Sequence, residues 1–233
     1  VEQHARWIAE CGVGVINVSW WGQGSFSARA VPMIMDVMHD HDIHVTFHLE
    51  PYAAHRDERF PEHDQYMLRE YGEKRRWDSF FFNERADGSQ GPVFKVFRTT
   101  LPEQIENCRG VLQAVPGYVP DGDWRRQVER LRRMVDGVFE HLTLLSDTWD
   151  AGRVAQAGLD GISVYDPAEH PTRWLDHAMV ASRLGQVFSF AVNPGLDEIE
   201  RRDVAPEECY RPRPFLPLTD DLAWSRWEER ERA

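Results

Sequence analysis

The residues best equipped for chemistry sit at the ends of apolar runs. VTFHLEPY, Val45 to Tyr52, passes through an apolar body into His48, Glu50 and Tyr52. In extended backbone, positions two apart share a face, so the His48 imidazole and the Glu50 carboxylate leave the chain on the same side. The same kind of ending recurs in GVINVSWW (Gly14 to Trp21), which closes on Trp20 and Trp21, and in HLTLLSD (His141 to Asp147). It recurs again in GISVYD (Gly161 to Asp166), which closes on Tyr165 and Asp166, and in VFSFAVNPG (Val187 to Gly195), which carries Asn193. Two chemistries use such a set. Carboxylates, amides and imidazoles hydrogen-bond sugar hydroxyls while flat rings cover the apolar C–H faces of a pyranose, and nine tryptophans supply such rings. Alternatively, His48, Glu50 and Asp166 could surround a divalent metal with one open position and activate water. Trp20 and Trp21 are neighbours and point to opposite faces of a strand, so one suits a pocket and the other suits packing.

Composition narrows the field. A chain of 233 residues with 42% apolar content can bury one substantial core, and single α/β barrels occupy roughly this length or more. Residues 1–233 are therefore expected to form one domain. A net charge of −12 without a sustained basic stripe argues against nucleic acid and against an anionic membrane surface, both of which need clustered Lys and Arg. No run approaches the roughly 20 apolar residues of a spanning helix, so no membrane insertion is expected. Cys11, Cys108 and Cys209 are odd in number and far apart, which gives neither a disulfide framework nor a metal spacing; they are expected to be reduced or buried. No glycine-rich dinucleotide or phosphate loop is present, and no cofactor is expected.

The elements that must position these residues alternate along the chain. VEQHARWIAECGV reads as an amphipathic helix with Ala5, Ile8, Ala9 and Trp7 inward. Val31, Ile34, Met35 and Met38 fall at i, i+3, i+4 and i+7, a second helix with Pro32 in its first turn, where a missing N–H costs little. Pro61 to Tyr71 reads as helical, and PVFKVF, Pro92 to Phe97, as a strand entered through the turn ADGSQG. Trp124, Val128, Leu131, Val135 and Phe139 mark a longer helix that Asp121 or Asp123 could cap. Its other side, with Arg125, Arg126, Arg130, Arg132 and Arg133, reads as a solvated face. A short helix follows at Gly152 to Ala157, another from Pro171 to Leu184, and a last one begins at Trp224. His39, His41 and His44 resemble a metal cluster but sit where a helix enters a strand, so a solvated turn is expected there.

Six strands alternating with helices imply a mostly parallel sheet, because each crossover returns the chain to the same end. An open doubly wound sheet would bind its ligand at one switch point. Polar residues at the ends of many strands instead suit a closed barrel, whose active face collects them. The expected fold is α/β, an incomplete (β/α)8 barrel of about six β/α units.

GVINVSWW, HVTFHLEPY, GPVFKVF, AGLDGISVYD and FAVNPGLDE, in this order and spacing, resemble the endo-α-mannosidase family of glycoside hydrolases, family 99, and particularly its bacterial members. The resemblance runs from about Gly12 to Glu198. It implies a (β/α)8 barrel that cuts α-mannosidic linkages in a glycan, the glycan being the expected partner. It also implies that Glu50 is among the substrate-binding residues, with Trp20, Trp21, His48, Tyr52, Tyr165, Asp166 and Asn193 as further candidates. The family's two catalytic glutamates lie in an Asn-Glu-Trp-x-x-Glu type of segment, which this sequence lacks; the pair is expected beyond Ala233, and the 233-residue piece is expected to be inactive alone. Asn83-Glu84-Arg85 and Trp227-Glu228-Glu229 are not read as substitutes. Where the family usually has Tyr-Asp-Ser after the third strand, this chain has Phe97-Arg98-Thr99. A carbohydrate-binding barrel without catalysis and a metal-dependent hydrolase are the alternatives.

Overall fold

In a computed structural model of the chain, which describes residues 1–50, 56–74, 77–106, 110–164 and 173–191, every one of the six apolar runs is a strand. The strands are β1 (Val15–Trp20), β2 (His44–Leu49), β3 (Phe82–Glu84), β4 (Gln90–Val96), β5 (Gln104–Glu106), β6 (Leu112–Ala114), β7 (Thr143–Ser146), β8 (Gly161–Val164) and β9 (Val187–Phe190). The helices are α1 (Glu2–Glu10), α2 (Phe26–His39), α3 (Arg56–Met67), α4 (Asp121–Val135), α5 (Ala151–Gln156) and α6 (Trp174–Arg183). The main sheet runs β1-β2-β4-β7-β8-β9, and every pairing along that path is parallel. Strands are thus added in chain order and in one direction. Right-handed crossovers wound in one direction place every helix on the same face of the sheet, whereas a doubly wound sheet reverses and covers both. One buried cluster accordingly joins residues from all six helices, Ala5, Met35, Phe60, Leu131, Val154 and Ala181 among them, to the strand residues Trp20, Phe47, Phe94, Leu144 and Ile162. The fold is that of an incomplete (β/α)8 barrel.

Two features were not anticipated. ADGSQG is a turn, but it closes an antiparallel hairpin of β3 on β4 at the N-terminal end of the barrel strand. A second hairpin, β5 on β6, stands between β4 and α4. β3, β5 and β6 are each three residues long, too short to show periodicity in sequence.

Several local expectations change. Trp7 is 55% exposed and stacks on His4, and Ala9 is also outward, because only Ala5 is fully buried on α1. Cys11 is a free thiol and exposed. Helix α4 starts after Pro120 without a side-chain cap; Asp121 instead accepts two hydrogen bonds from the Arg153 guanidinium, which also donates to the carbonyls of Thr100 and Leu101. The arginine face of α4 is exposed but not idle: Arg125 donates to the Gln156 carbonyl, Arg130 pairs with Glu62 on α3, and Arg132 with Asp160 before β8. His39 and His41 reach separate acids, Asp78 at 3.6 Å and Glu2 at 3.3 Å.

Pro32 is not in the first turn of α2. Ser25 caps that helix by accepting from the Ala28 N–H at 3.1 Å, so Pro32 falls inside it. Proline has no N–H to offer the carbonyl four residues back, which is Ala28. That carbonyl is taken by the Tyr71 hydroxyl at 3.2 Å, and the same hydroxyl accepts from Trp20 Nε1 at 3.3 Å. Tyr71 lies in the π-helical segment Leu68–Glu73 that continues α3. One phenol thereby ties β1 and α2 to the end of α3, and burial pushes its pKa up to about 12.

On α3 itself, Asp64 has no accessible surface, and neither carboxylate oxygen has a hydrogen-bond partner among the described residues. Burial raises its pKa well above the usual carboxylate value, since removal from water penalises the charged form. A carboxyl whose folded pKa is raised leaves stability fully present below its unfolded pKa and lost as pH rises toward the folded one. Asp64→Asn, which keeps the shape but cannot ionise, should therefore match the parent near pH 4. At pH 8 it should be more stable by about 1–3 kcal/mol, as read from urea unfolding at both values. Tyr71→Phe should cost about 1–3 kcal/mol in the same assay, since it leaves the Ala28 carbonyl and the Trp20 indole N–H inside without their shared partner.

Candidate functional site

Because the helices take one face of the sheet, the opposite face belongs to the alternate residues of each strand. Phe94 and Val96 of β4 join the helix-side core, so Lys95 between them faces the other way. Parallel register carries that face across the sheet: Ser19 pairs with His48 and His48 with Lys95. Lys95 pairs in turn with Leu145, Leu145 with Gly161, and Gly161 with Val187. This row closes tightly at its far side, where a Cβ on Gly161 would stand 2.3 Å from the Val187 carbonyl oxygen and 2.9 Å from Leu145.

One layer above, at the C-terminal ends of the strands, is a connected set of side chains. Trp21 Nε1 donates to Ser19 Oγ at 3.0 Å, and the Ser19 hydroxyl donates to Glu50 Oε1 at 2.6 Å. His48 Nδ1 lies 3.9 Å from the same oxygen. An O–H bond to an ionised carboxylate at this distance is of the strong, charge-assisted kind. The His48 ring meets Phe97 edge-on at 5.4 Å between centroids. Backbone bonds lock the strand ends together, from Glu50 N to the Trp20 carbonyl and from Phe97 N to the Leu49 carbonyl. Asp147 at the end of β7 accepts from the Arg98 N–H at 2.6 Å. The loop after β1 is held too, since Trp21 N donates to Ser27 Oγ, which lies 3.0 Å from the capping hydroxyl of Ser25.

The arrangement presents one fixed carboxylate, an imidazole and an exposed indole on a shared face. Glu50 Oε1 is engaged by Ser19, whereas Oε2 makes no hydrogen bond among the described residues and is available to a hydroxyl donor. Trp21 is 51% exposed, so its ring can receive an apolar sugar face.

Of the expected site residues, the structure brings His48, Glu50 and Trp21 together. Trp20 is different. It has no accessible surface and packs against His63 at 5.5 Å and Tyr66 at 6.2 Å, in the helix-side core. Adjacent strand residues must face opposite ways, so a ligand-contacting Trp21 requires a core Trp20. Tyr52, Tyr165, Asp166 and Asn193 lie outside the described residues. Among the described residues no group of three His, Cys, Asp or Glu side chains converges on a point where a metal could bind, and Asp166, the third ligand of the metal alternative, is outside them.

Ser19 and Lys95 were missed by sequence reasoning, although a signal existed for both. Ser19 is two residues before Trp21, hence on its face, and Lys95 is the lone charge in PVFKVF. Burial lowers the Lys95 pKa, the only cause acting on it. A cleft of about 650 Å³ between Asn83, Arg85, Arg132, Asp160 and Gln186 lies at the opposite end of the strands. There Arg85 and Arg132 brace Asp160, whose Oδ2 accepts from Leu144 N at 2.9 Å.

Comparison with known proteins places this geometry in a context. The family model of glycosyl hydrolase family 99 matches residues 1–207. Glycoprotein endo-alpha-1,2-mannosidase from Mus musculus is 26% identical over 174 residues, covering 71% of this chain and 34% of the mouse protein. Glycoprotein endo-alpha-1,2-mannosidase-like protein from Homo sapiens is 25% identical over 174 residues, with the same coverage. The chain thus spans about a third of the length of the curated relatives it matches. Among solved structures, the family-99 endo-alpha-mannosidase from Bacteroides thetaiotaomicron superposes with a TM-score of 0.72 at 17% identity, covering 99% of this chain and 66% of that one. At that identity the likeness establishes the shared fold.

The two adjacent tryptophans can be told apart by experiment. Trp20→Ala should destabilise the protein by about 3–5 kcal/mol, the cost of emptying a packed aromatic site. Trp21→Ala should stay within about 0.5 kcal/mol, as exposed substitutions do. Guanidinium unfolding of both variants checks the assignment, and comparable losses would contradict it.

Proposed function

The chain belongs to glycosyl hydrolase family 99, and from that membership together with the rim geometry we propose that it supplies the sugar-binding rim of a glycoside hydrolase acting on α-mannosidic linkages in glycans. Residues 1–233 are read as one barrel-type domain. The observation that carries this reading is the hydrogen-bonded series Trp21–Ser19–Glu50, with His48 beside it, at the strand ends where barrel enzymes gather their active residues.

In this reading the Trp21 indole covers the apolar face of a mannosyl ring while Glu50 Oε2 accepts from one of its hydroxyls. Ser19 holds Oε1, with the His48 ring nearby, so the carboxylate meets the sugar without having to be ordered on binding, which limits the entropic cost. Tyr52, Tyr165, Asp166 and Asn193 are proposed as further substrate contacts. Cleavage of a glycosidic bond uses a pair of carboxylates flanking it. Glu50 is assigned to binding rather than to that pair, because one of its oxygens is already committed to Ser19 beside His48 at the end of β2. The names of the mouse and human relatives, glycoprotein endo-alpha-1,2-mannosidase and its like protein, support an α-1,2-linked mannan-type substrate.

Calorimetric titration with an α-1,2-linked mannosyl oligosaccharide tests the assignment, with release of reducing ends as the measure of hydrolysis. Glu50→Gln should weaken binding by at least about tenfold, the expected loss for a hydrogen bond to a charged group. Ser19→Ala should weaken it by less, and both melts should stay close to the parent. Unchanged affinity in Glu50→Gln would remove Glu50 from the site. Binding without any hydrolysis would instead favour a carbohydrate-binding barrel.

A further inference from the structure

Lys95 sits in the middle of the sheet's open face, on the row of Ser19 and His48 and one layer below Glu50. It is half-buried, and it forms no ion pair or hydrogen bond among the described residues. Its row neighbours are an imidazole on one side and the apolar Leu145 on the other. The nearest layer's carboxylate, Glu50, is already held by Ser19 and by His48. Asp147 is turned to the Arg98 backbone N–H. Arg98, which follows three residues after Lys95 at the same strand end, likewise has no ion pair among the described residues. An ammonium removed from water without an opposing charge is unfavourable, and burial accordingly works against its charged form. Elsewhere the protein pairs its basic groups readily: Arg153 with Asp121, Arg132 with Asp160, Lys74 with Glu70. Among the described residues this cation stands without an opposing charge, on the face of the sheet opposite the helices.

Building on the reading of this face as a glycan rim, we propose that Lys95 receives an anionic substituent of the bound sugar, so that the preferred substrate is an acidic mannan-type glycan rather than a neutral one. The shared chemistry is an oxyanion, whether a phosphate ester, a sulfate ester or a carboxylate. Such a group would accept from the Lys95 ammonium in a partly desolvated site, where charge-assisted bonds are strong, while neighbouring hydroxyls meet Glu50.

The test is calorimetric titration of the whole chain, at low salt, with one α-1,2-linked mannosyl oligosaccharide in four forms: neutral, 6-phosphorylated, 6-sulfated and oxidised to the 6-carboxylate. Inorganic phosphate alone serves as the fifth probe. At least one charged form should bind about tenfold more tightly than the neutral form, and the identity of that form names the oxyanion. Lys95→Met should abolish the preference while leaving affinity for the neutral form within about twofold, and Lys95→Arg should retain most of it. Melting curves of Lys95→Met should be no lower than the parent's, since the variant removes a desolvated charge. Equal affinity for neutral and charged forms, or a preference that survives Lys95→Met, overturns the inference and leaves the glycan reading standing. Inorganic phosphate binding as tightly as the phosphorylated sugar also overturns it, because the site would then serve a free anion. Failure of every saccharide to bind overturns the glycan reading and this inference together.

Discussion

The organisation of this protein depends on one constraint: its parallel strands are joined by crossovers that all wind in one direction. Helices therefore pack on a single face of the sheet, and the main buried apolar cluster lies there. The opposite face carries Ser19, His48, Glu50 and Lys95, and none of the described helices covers it. A polar row of this kind would be prohibitive inside a doubly covered sheet, where every buried donor and acceptor must find a protein partner. Here it can be open to solvent or to a ligand. The separation of core and site is a consequence of topology rather than of any single residue.

Within that frame, the rim is made stiff by bonds that join elements far apart in the chain. The Tyr71 phenol is the clearest case. Pro32 breaks the hydrogen-bond ladder of α2, and the orphaned Ala28 carbonyl becomes the anchor for a tyrosine from the end of α3, which in turn holds the Trp20 indole. Fixing Trp20 in the core fixes the exit direction of Trp21. From Trp21 the connection passes through Ser19 to Glu50, so the carboxylate at the rim is positioned by packing on the other side of the sheet. A binding group preorganised in this way loses little freedom when ligand arrives. Among the described residues Lys95 has no such partner, and its half-buried ammonium is the basis for the proposed preference for an acidic glycan.

Much of this was legible in the residues. The six barrel strands were readable because each is a short apolar run ending in polar or aromatic groups, and helix α4 because Trp124, Val128, Leu131 and Val135 recur at helical spacing. His48 and Glu50 could be assigned to one face from their separation alone. Where reading failed, a non-local contact had decided the outcome. Pro32 looked like a helix start, but the Ser25 cap lies upstream and a distant tyrosine repairs the gap. Asp121 looked like a cap, yet Arg153, thirty-two positions away, takes its carboxylate. The hairpin strands β3, β5 and β6 are each three residues long and carry no period of their own.

The sequence by itself determined the alternation of strands and helices, the family, and which residues could bind a sugar, because periodicity and residue type are local properties. It could not determine which of Trp20 and Trp21 faces outward: alternation says only that they differ, and the choice follows from which side of the sheet the helices occupy. Nor could it show that Ser19 bridges Trp21 to Glu50, or that Lys95 meets no counter-charge among the described residues, since both depend on strands far apart in the chain lying in one register. Those facts belong to the tertiary structure, because hydrogen bonds and desolvation are set by distance in space and not along the chain.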